Sequence, residues 1–296
     1  MTETWRRVRL VFRVCSPLHV GWRRVQNLMM TRPYLPGRNL WAALVEQLTL
    51  RYTDAGDADY KKAQEFVSDN FRFSHFWTAV PKSPDVCDAT AIREPDDLLV
   101  VLPPDLSDKG NELSCYFDYL FLDGRAMTAL KGTTAAEGTL HEVEFIRPWT
   151  RPIRLKCAGR PSQPVFLVGD MWCKEDANNR CVWVERCRIK AFWNHIGSTV
   201  EIVGCLRELQ VGGERTYGFG RLQLACWRAY ETNPRPVALL PCWRVVDGYE
   251  VAVEPLLGRS LNKLWAYKDG ESVIFVTLRR QEDRRSASSQ ELENYL

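Results

Sequence analysis

A glycine-rich segment around residue 215 carries side chains suited to holding a nucleic acid. Residues 211–220 read VGGERTYGFG, so four glycines frame an arginine and two aromatic residues. Glycine permits positive φ angles and close backbone approach, and clustered backbone N–H groups can bind phosphate. Arginine pairs with phosphates or base edges, and aromatic rings stack on unpaired bases. The candidate RNA contacts here are Gly212, Gly213, Arg215, Tyr217, Gly218, Phe219, Gly220 and Arg221.

Two better-defined phosphate-binding motifs do not fit this loop. A Walker loop ends in Gly-Lys followed by Ser or Thr, and no such triplet follows the glycines. A dinucleotide-binding turn leads into a helix, whereas this loop continues as RLQL, which alternates like a strand. The sequence leaves two explanations open, a nucleic-acid contact and an ordinary hairpin turn.

The first 38 residues are strongly basic. They contain eight arginines and one acidic residue, Glu3. Such a segment favours an anionic partner such as RNA, and Arg23, Arg24, Arg32 and Arg38 are further candidate contacts. The whole chain has 30 arginines, 10 lysines and a net charge of +3, so codon bias is an alternative source of the arginines.

Cysteine and histidine spacing gives no recognisable metal motif. The chain has ten cysteines but no CxxC pair, and without a signal peptide we expect free, buried thiols. Cys173, Cys181, Cys187 and His195 could gather around zinc, but their spacing matches no zinc ribbon or finger. We therefore expect neither a metal ion nor another cofactor.

Length and composition are those of an ordinary globular protein. The chain has 296 residues, of which 45% are hydrophobic and 26% charged, so bulk disorder, collagen and coiled coil are excluded. No apolar stretch approaches the roughly 18 residues that a membrane span needs. The N-terminus has no signal-peptide core, so we expect a cytoplasmic protein without a membrane partner.

Hydrophobic periodicity predicts how these candidates are positioned. Residues 5–15 alternate as a half-buried strand, and residues 16–37, rich in proline and glycine, are predicted to form a long irregular connection. Helical spacing follows over residues 39–52 and 60–70. Further predictions are strands at 116–122, 143–146, 165–168, 181–184, 222–230, 249–254 and 272–278, and a helix or broken helix within 186–204.

Three ordered motifs carry a family resemblance. They are SPLHVG at 16–21, PYLPGRNLWAAL at 33–44 and VGGERTYGFGRL at 211–222. Together they resemble the RAMP superfamily, the repeat-associated proteins of CRISPR effector complexes. Residues 132–148, GTTAAEGTLHEVEFIRP, also resemble a segment of type III members.

The resemblance implies a fold and an RNA-binding surface. The fold would be α+β, of the ferredoxin-like (RRM-type) βαββαβ kind, with antiparallel sheets, flanking helices and two RRM-like halves with inserted loops. We expect one half at 1–150 with an inserted middle segment, a second at 151–280 with the glycine-rich loop, and a frayed tail at 281–296. The sheet and the glycine-rich loop would contact guide RNA.

Two kinds of RNA cleavage known in the family lack their residues here. Type III backbone subunits cut target RNA with an aspartate in the loop before the Pro-Tyr-Ile-Pro-Gly motif, and Asn27 stands where that aspartate aligns. An amide cannot act as a base or a charged metal ligand. RAMP endonucleases that process precursor RNA use a histidine base, and keep the glycine-rich loop near the chain end. We interpret His19 of the SPLHVG motif as structural, because a general base must reach the scissile hydroxyl, and we count His19 and Asn27 among the candidate RNA contacts. The glycine-rich loop ends 76 residues before the last residue, which also argues against a processing enzyme.

The sequence therefore predicts a non-catalytic subunit of a type III CRISPR ribonucleoprotein. It would bind guide RNA (crRNA), cap its five-prime repeat tag in the Cas-five-like role, and dock RAMP backbone subunits and the large signalling subunit. Target RNA would be a further partner within the complex. The alternatives are a Cas-seven-like backbone subunit that lines the guide–target duplex without slicing, an RNA endonuclease, and a scaffold without RNA contact.

Overall fold

The computed structural model describes most of the chain up to residue 233 and four later strands. The described residues are 4–104, 112–128, 130–131, 134–135, 140–154, 159–175, 182–184, 188–233, 244–246, 249–253, 263–268 and 272–277. The helices are α1 (Gly37–Tyr52), α2 (Asp57–Asn70), α3 (Phe117–Phe121) and α4 (Ile202–Leu206).

Short strands dominate the chain. In order they are β1 (Thr4–Val14), β2 (Gly21–Val25), β3 (Leu28–Thr31), β4 (Tyr34–Leu35), β5 (Phe71–Phe73), β6 (Phe76–Pro81), β7 (Leu98–Val100), β8 (Leu122–Met127), β9 (Leu130–Lys131), β10 (Thr134–Ala135), β11 (His141–Ile146), β12 (Ile153–Arg154), β13 (Gly159–Arg160), β14 (Phe166–Glu175), β15 (Val182–Val184), β16 (Ile189–Trp193), β17 (Ser198–Glu201), β18 (Glu208–Gln210), β19 (Arg221–Asn233), β20 (Arg244–Val246), β21 (Tyr249–Val253), β22 (Lys263–Lys268) and β23 (Ser272–Thr277).

The main sheet has the strand order of a ferredoxin-like fold. Its path is β18-β19-β1-β14-β6-β4, and every pair along it is antiparallel. Within it, the chain runs β1, α1, β6, β14, α4, β19, and these four strands lie side by side as β19-β1-β14-β6. That is a βαββαβ unit with the first and third strands at the centre, so the expected α+β fold is confirmed.

Strand β1 owes its central place to its alternating sequence. Val8, Leu10 and Phe12 are fully buried in the core cluster that also contains the apolar stripes of α1 and α2. Each such side chain contributes about 2 kcal/mol of burial free energy. The α1 stripe, Leu40, Leu44 and Leu48, repeats every four residues, so the helix presents one apolar face to the sheet.

The start of α1 is fixed by very close packing. A Cβ atom on Gly37 would lie 2.4 Å from the carbonyl oxygen of Phe73 and 2.6 Å from that of Ser74. Only glycine fits there, so the helix N-terminus lies directly against the turn between β5 and β6. The RPYLPGR segment before the helix is thereby held beside β6.

The second face of the main sheet is covered. Val11, Phe166 and Val168 on this face pack against Ile92 and Leu98 of the segment that follows β6. An RRM sheet that binds RNA must expose its face for base stacking. The expected RNA contact across the sheet is therefore not available at these residues.

A second, four-stranded sheet carries the residues between the first two motifs. Its order is β2-β3-β11-β8, with β3 and β11 parallel and the other neighbours antiparallel. The smaller sheets are β9–β10, β12–β13, β15–β17 and β20–β23. Strand β2 is an edge strand in which all five residues are exposed.

Three segments differ from the sequence prediction. Residues 16–37 contain β2, β3 and β4 instead of an irregular connection, because β2 is wholly exposed and β3 and β4 are too short to show alternation. Residues 117–121 form a helix instead of a strand: Phe117, Leu120 and Phe121 are buried at helical spacing, and this packing overrides the β propensity of aromatic residues. Most of 186–204 forms the β16–β17 hairpin, with only α4 helical at its end.

The predicted division of the chain at residue 150 stays a prediction. The main sheet joins the two expected halves, because β1 lies between β14 and β19 from the later part of the chain. The predicted tail, 281–296, lies outside the described residues. In the part of the chain that is described, no helix is both long and apolar enough to cross a membrane.

Candidate nucleic-acid interface

The SPLHVG motif and the glycine-rich loop, 190 residues apart in sequence, pair directly. The N–H of Gly213 donates to the carbonyl of His19 at 2.9 Å, and the N–H of Gly220 donates to that of Pro17 at 2.7 Å. The N–H of Arg221 donates to Ser16 Oγ at 2.9 Å. Both ends of the loop are therefore anchored on the same short segment.

The opposite edge of SPLHVG is held by β11. Leu18 and Ile146 exchange two backbone hydrogen bonds, of 2.9 and 2.8 Å. His19 Nδ1 donates to the carbonyl of Glu144 at 2.7 Å, and the residue is 5% exposed. This contact fixes the imidazole ring between the loop and β11, a structural position that gives it little access to a bound RNA strand.

Two glycines of the loop are required by this packing. Gly212 has φ +82°, and a Cβ there would lie 2.3 Å from the His19 carbonyl oxygen. Gly220 has φ +78°, and its Cβ would lie 1.8 Å from the Val211 carbonyl oxygen. Gly218 has a similar φ of +82° but open space around it. The loop connects the antiparallel strands β18 and β19 as a hairpin, and the hairpin turn was one of the two explanations that the sequence left open.

The loop exposes the side chains of Arg215 and Tyr217 and buries that of Phe219. Arg215 is exposed and Tyr217 is 52% exposed, in a single 3-10 turn held by Gln210, whose side-chain amide donates to the carbonyls of Arg215 (2.8 Å) and Phe219 (3.1 Å). Phe219 is 2% exposed and packs edge-on against Phe145. Its predicted stacking on a base is corrected, because the ring anchors the loop instead.

The β2–β3 hairpin presents arginines to solvent. Arg23 and Arg24 are exposed, as is Trp22, whose ring centre lies 4.7 Å from the Arg23 guanidinium. Asn27 is exposed in the turn, next to Gln26, which has φ +53° and accepts a hydrogen bond from Arg24 Nε at 2.8 Å. This surface is basic and partly aromatic, a combination suited to an RNA strand.

The segment that leads into the PYLPGRNLWAAL motif is tied to the same point. The N–H of Val20 donates to Thr31 Oγ1 at 2.8 Å, and the N–H of Arg32 donates to the Val20 carbonyl at 2.7 Å. The N–H of Thr31 donates to Glu144 Oε2 at 2.9 Å. Arg32 is partly buried and Arg38 is exposed in the first turn of α1. All three motifs therefore converge around His19.

Arginines differ sharply in whether a carboxylate neutralises them. Several on the sheet and its surroundings are paired: Arg9 with Asp170 (2.9 Å), Arg228 with Glu94 (2.9 Å) and Asp96 (2.5 Å), Arg215 with Glu46 (3.0 Å), and Arg147 and Arg151 with Asp123. In the described part of the chain, Arg23, Arg24, Arg32 and Arg38 form no ion pair with a carboxylate. The uncompensated positive charge thus lies beside the converging motifs.

Sequence reasoning missed a histidine next to the PYLPGRNLWAAL motif. His75 follows β5, and its ring lies 4.7 Å from Tyr34 between ring centres. Burial, together with the charges of Arg32 and Arg38, lowers the pKa of His75 from 6.5 to about 4. No sequence signal identifies this residue, because it lies 37 positions after Arg38 and reaches the motif only through the β4–β6 pairing.

The described cysteines match the expected free, buried thiols only in part. Among the described residues, no three His, Cys, Asp or Glu side chains are grouped to hold a metal ion. Cys173 is buried in the core, His195 contacts Asp59 at 2.7 Å, and Cys181 and Cys187 lie outside the described residues. The described cysteines are all free, but Cys15, Cys87 and Cys115 are exposed, since they lie outside the core strands.

A family model for the RAMP superfamily matches residues 11–223, and the chain therefore belongs to that superfamily. This is the family that the three motifs resemble. No curated protein matches the sequence significantly.

Solved structures of type III-B Cmr proteins are distantly similar. A chain of "Type III-B Cmr-beta bound to cognate target RNA" is 12% identical, with 75% of this chain and 96% of that chain covered and a TM-score of 0.40. A chain of the same complex with AMPPnP is 11% identical, with coverages of 97% and 92% and a TM-score of 0.36. Oligomeric Cmr4 from Pyrococcus furiosus is 11% identical, with coverages of 77% and 100% and a TM-score of 0.31.

Replacing Gly220 by alanine should destabilise the protein far more than the same change at Gly218. Both positions have positive φ, which costs alanine about 1 kcal/mol. Only at Gly220 does the added methyl meet a backbone carbonyl, so we expect about 3 kcal/mol more loss there. Urea unfolding of the two variants measures the difference, and equal losses would contradict the anchored loop.

Wild-type protein should lose more stability at acid pH than a His75→Phe variant. Because the folded-state pKa of His75 is lowered to about 4 from 6.5, the unfolded chain binds a proton that the folded chain does not. His75 therefore contributes stability above pH 6.5 that falls as the pH is lowered towards 4. Between pH 7.5 and 5, the wild type should lose about 2 kcal/mol more than the variant. Urea unfolding at both values measures this; equal losses would show that His75 is not buried.

Proposed function

We propose that this protein is a guide-RNA-binding subunit of a type III CRISPR ribonucleoprotein. In this role it caps the five-prime repeat-derived tag of the guide RNA and docks RAMP backbone subunits and the large signalling subunit. Membership of the RAMP superfamily supports the class, and the type III resemblance of residues 132–148 supports the subtype. Target RNA is a partner within the assembled complex.

The observation that carries the proposal is the uncompensated charge around the converging motifs. Among the described residues, four arginines there form no ion pair with a carboxylate, whereas Arg9 and Arg228 on the main sheet do. A phosphate backbone supplies the missing negative charge and releases counterions when it binds. Arg215 and Tyr217 of the glycine-rich loop add a cation and an exposed ring on the side of α1.

We propose that the subunit binds RNA without cutting it. Residues 4–45 contain no aspartate or glutamate, so the hairpin turn that bears Asn27 has no carboxylate of its own. His19 uses Nδ1 to hold the Glu144 carbonyl and is almost fully buried, which disfavours a general-base role. Incubating labelled precursor and target RNAs with the protein and Mg²⁺ tests this; site-specific cleavage lost on replacing His19 or Asn27 would contradict it.

The capping role is proposed over the backbone role. Beyond the glycine-rich loop the chain continues through β19 and a four-stranded sheet, β20–β23, and this long extension favours the capping role. Subunit stoichiometry in the purified ribonucleoprotein separates the two roles. One copy per guide RNA, crosslinked to the tag, supports capping, whereas several copies along the guide support the backbone role.

Arg215→Ala should weaken RNA binding without unfolding the protein. Its ion pair with Glu46 is exposed and worth less than about 1 kcal/mol to stability, so the fold should survive. Loss of one phosphate contact should reduce the salt slope of binding by about one. Fluorescence anisotropy with tag-bearing RNA at several salt concentrations measures both.

Glu46→Gln is the matched control for that variant. It breaks the same ion pair but keeps the Arg215 cation, so RNA binding should be equal to or tighter than that of the wild type. If both variants bind RNA like the wild type, or both bind equally weakly, Arg215 is not an RNA contact.

A further inference from the structure

One residue of β11, Glu144, joins the SPLHVG segment to the β2–β3 hairpin through two different groups. Its carbonyl oxygen accepts a hydrogen bond from His19 Nδ1 at 2.7 Å. Its carboxylate oxygen Oε2 accepts one from the N–H of Thr31 at 2.9 Å. His19 belongs to the SPLHVG segment, and Thr31 is the last residue of β3. Glu144 therefore connects the hairpin to the segment that anchors the glycine-rich loop.

The register of β11 against β3 shows what the Glu144 side chain replaces. The two strands are parallel, and the N–H of Glu142 donates to the Asn27 carbonyl at 2.9 Å. Hydrogen bonds of a parallel ladder are evenly spaced, so the ladder continued from Glu142 would bring the N–H of Thr31 to the Glu144 carbonyl. That carbonyl is bonded to His19 instead, and the Glu144 carboxylate accepts the Thr31 N–H.

The N–H of Thr31 needs this acceptor. Thr31 is 2% exposed, and a buried backbone N–H without a partner is strongly unfavourable. The Thr31 hydroxyl also accepts a hydrogen bond from the N–H of Val20 at 2.8 Å, which ties β3 to the end of the SPLHVG segment. Without the Glu144 carboxylate, the Thr31 N–H must either stay unpaired or take the Glu144 carbonyl from His19. Either change loosens a contact that fixes the hairpin beside the glycine-rich loop.

Electrostatic attraction does not account for a carboxylate at this point. Arg23 and Arg24 of β2, and Arg32 next to Thr31, belong to the positive surface that is proposed to bind RNA. Among the described residues, Glu144 forms no ion pair with them. A negative charge beside such a surface repels phosphate. The hydrogen bond that the carboxylate accepts therefore accounts for its position, and its charge opposes RNA binding.

We propose that Glu144 is a positioning residue that holds the β2–β3 hairpin in the orientation that binds RNA. It acts through Thr31 and His19 and does not contact RNA itself. The inference rests on the proposed RNA-binding function and adds to it the residue that sets the position of Arg23 and Arg24. When the contact is lost, only a fraction of the molecules holds the hairpin in the binding orientation, and the apparent affinity falls with that fraction.

The sign of the change in affinity separates positioning from charge, and fluorescence anisotropy with tag-bearing RNA measures it. Glu144→Ala removes a negative charge and should nevertheless weaken binding about 5- to 10-fold. It should also lower the salt slope by about one to two, because Arg23 and Arg24 no longer lie against phosphates. Glu144→Gln removes the same charge but keeps an oxygen acceptor for Thr31, so its binding should be equal to or tighter than that of the wild type.

Glu142→Ala is the matched control. Glu142 is exposed and lies two residues before Glu144, on the same face of β11. Its hydrogen bond to Asn27 uses the backbone N–H and survives the substitution. The variant removes the same charge without affecting the acceptor of Thr31, so it should bind RNA at least as tightly as the wild type does.

Two further measurements show whether Glu144 acts through the hairpin. In Glu144→Ala, amide hydrogen exchange should become faster in residues 22–31 and stay unchanged in β1, a pattern that a general loss of stability would not produce. Where Arg23 and Arg24 are already both replaced by alanine, adding Glu144→Ala should weaken RNA binding by less than about twofold, because the groups that it positions are gone.

The outcomes distinguish this role from the proposed function. If the wild type binds RNA and Glu144→Ala binds equally tightly, the positioning role is wrong and the RNA-binding function stands. The role is also wrong if Glu144→Gln binds as weakly as Glu144→Ala, or if exchange becomes equally faster in β1. If the wild type does not bind tag-bearing RNA, the proposed function fails and the role fails with it.

Glu144→Asp replaces Glu144→Ala should the alanine variant not fold. It keeps the charge but shortens the side chain by one methylene group, which moves the carboxylate away from the Thr31 N–H. It should weaken RNA binding and lower the salt slope in the same direction, and wild-type affinity would overturn the positioning role.

Discussion

The pairing of the SPLHVG segment with both its neighbours is the constraint on which the rest of the interface depends. On one side it anchors the glycine-rich loop through the carbonyls of Pro17 and His19, and on the other it is joined to β11 through Leu18 and Ile146. Because the same segment leads into the β2–β3 hairpin, one backbone strip fixes the positions of the loop, the hairpin and the start of α1. Losing this strip would separate surfaces that are far apart in sequence.

Charge pairing divides the arginines into two groups with different roles. Arg9 and its buried partner Asp170 lie within the main sheet and support its covered face. A buried pair of this kind is costly to break on one side alone, so it is structural. Arg23 and Arg38 lie outside that face and form no ion pair with a carboxylate of the described residues. The proposed binding surface is therefore the rim formed by the motifs and not the sheet face, whereas an RRM binds RNA across its strands.

The sequence predicted the elements whose own periodicity reveals them. The alternation of residues 5–15 gave β1, and the helical spacing of Leu40, Leu44 and Leu48 gave α1. It did not reveal the β2–β3 hairpin, in which β2 is wholly exposed and β3 is short, or the helix at Phe117–Phe121, which depends on tertiary packing. Among site residues, Arg215 and Tyr217 were identified because glycines flank them in the sequence. The sequence could not reveal that Phe219 is buried or that His75 lies beside Tyr34. Phe219 packs on Phe145 and His75 on Tyr34, and both partners are distant in sequence.

The identity of the RNA that accompanies the protein in its native host tests the central claim most directly. The tagged protein would be purified at moderate salt and its RNA sequenced. The account predicts short RNAs that share one repeat-derived five-prime tag, together with other RAMP subunits. Generic RNA fragments, or none, would contradict it and leave the chain a RAMP-fold protein whose exposed arginines serve another partner.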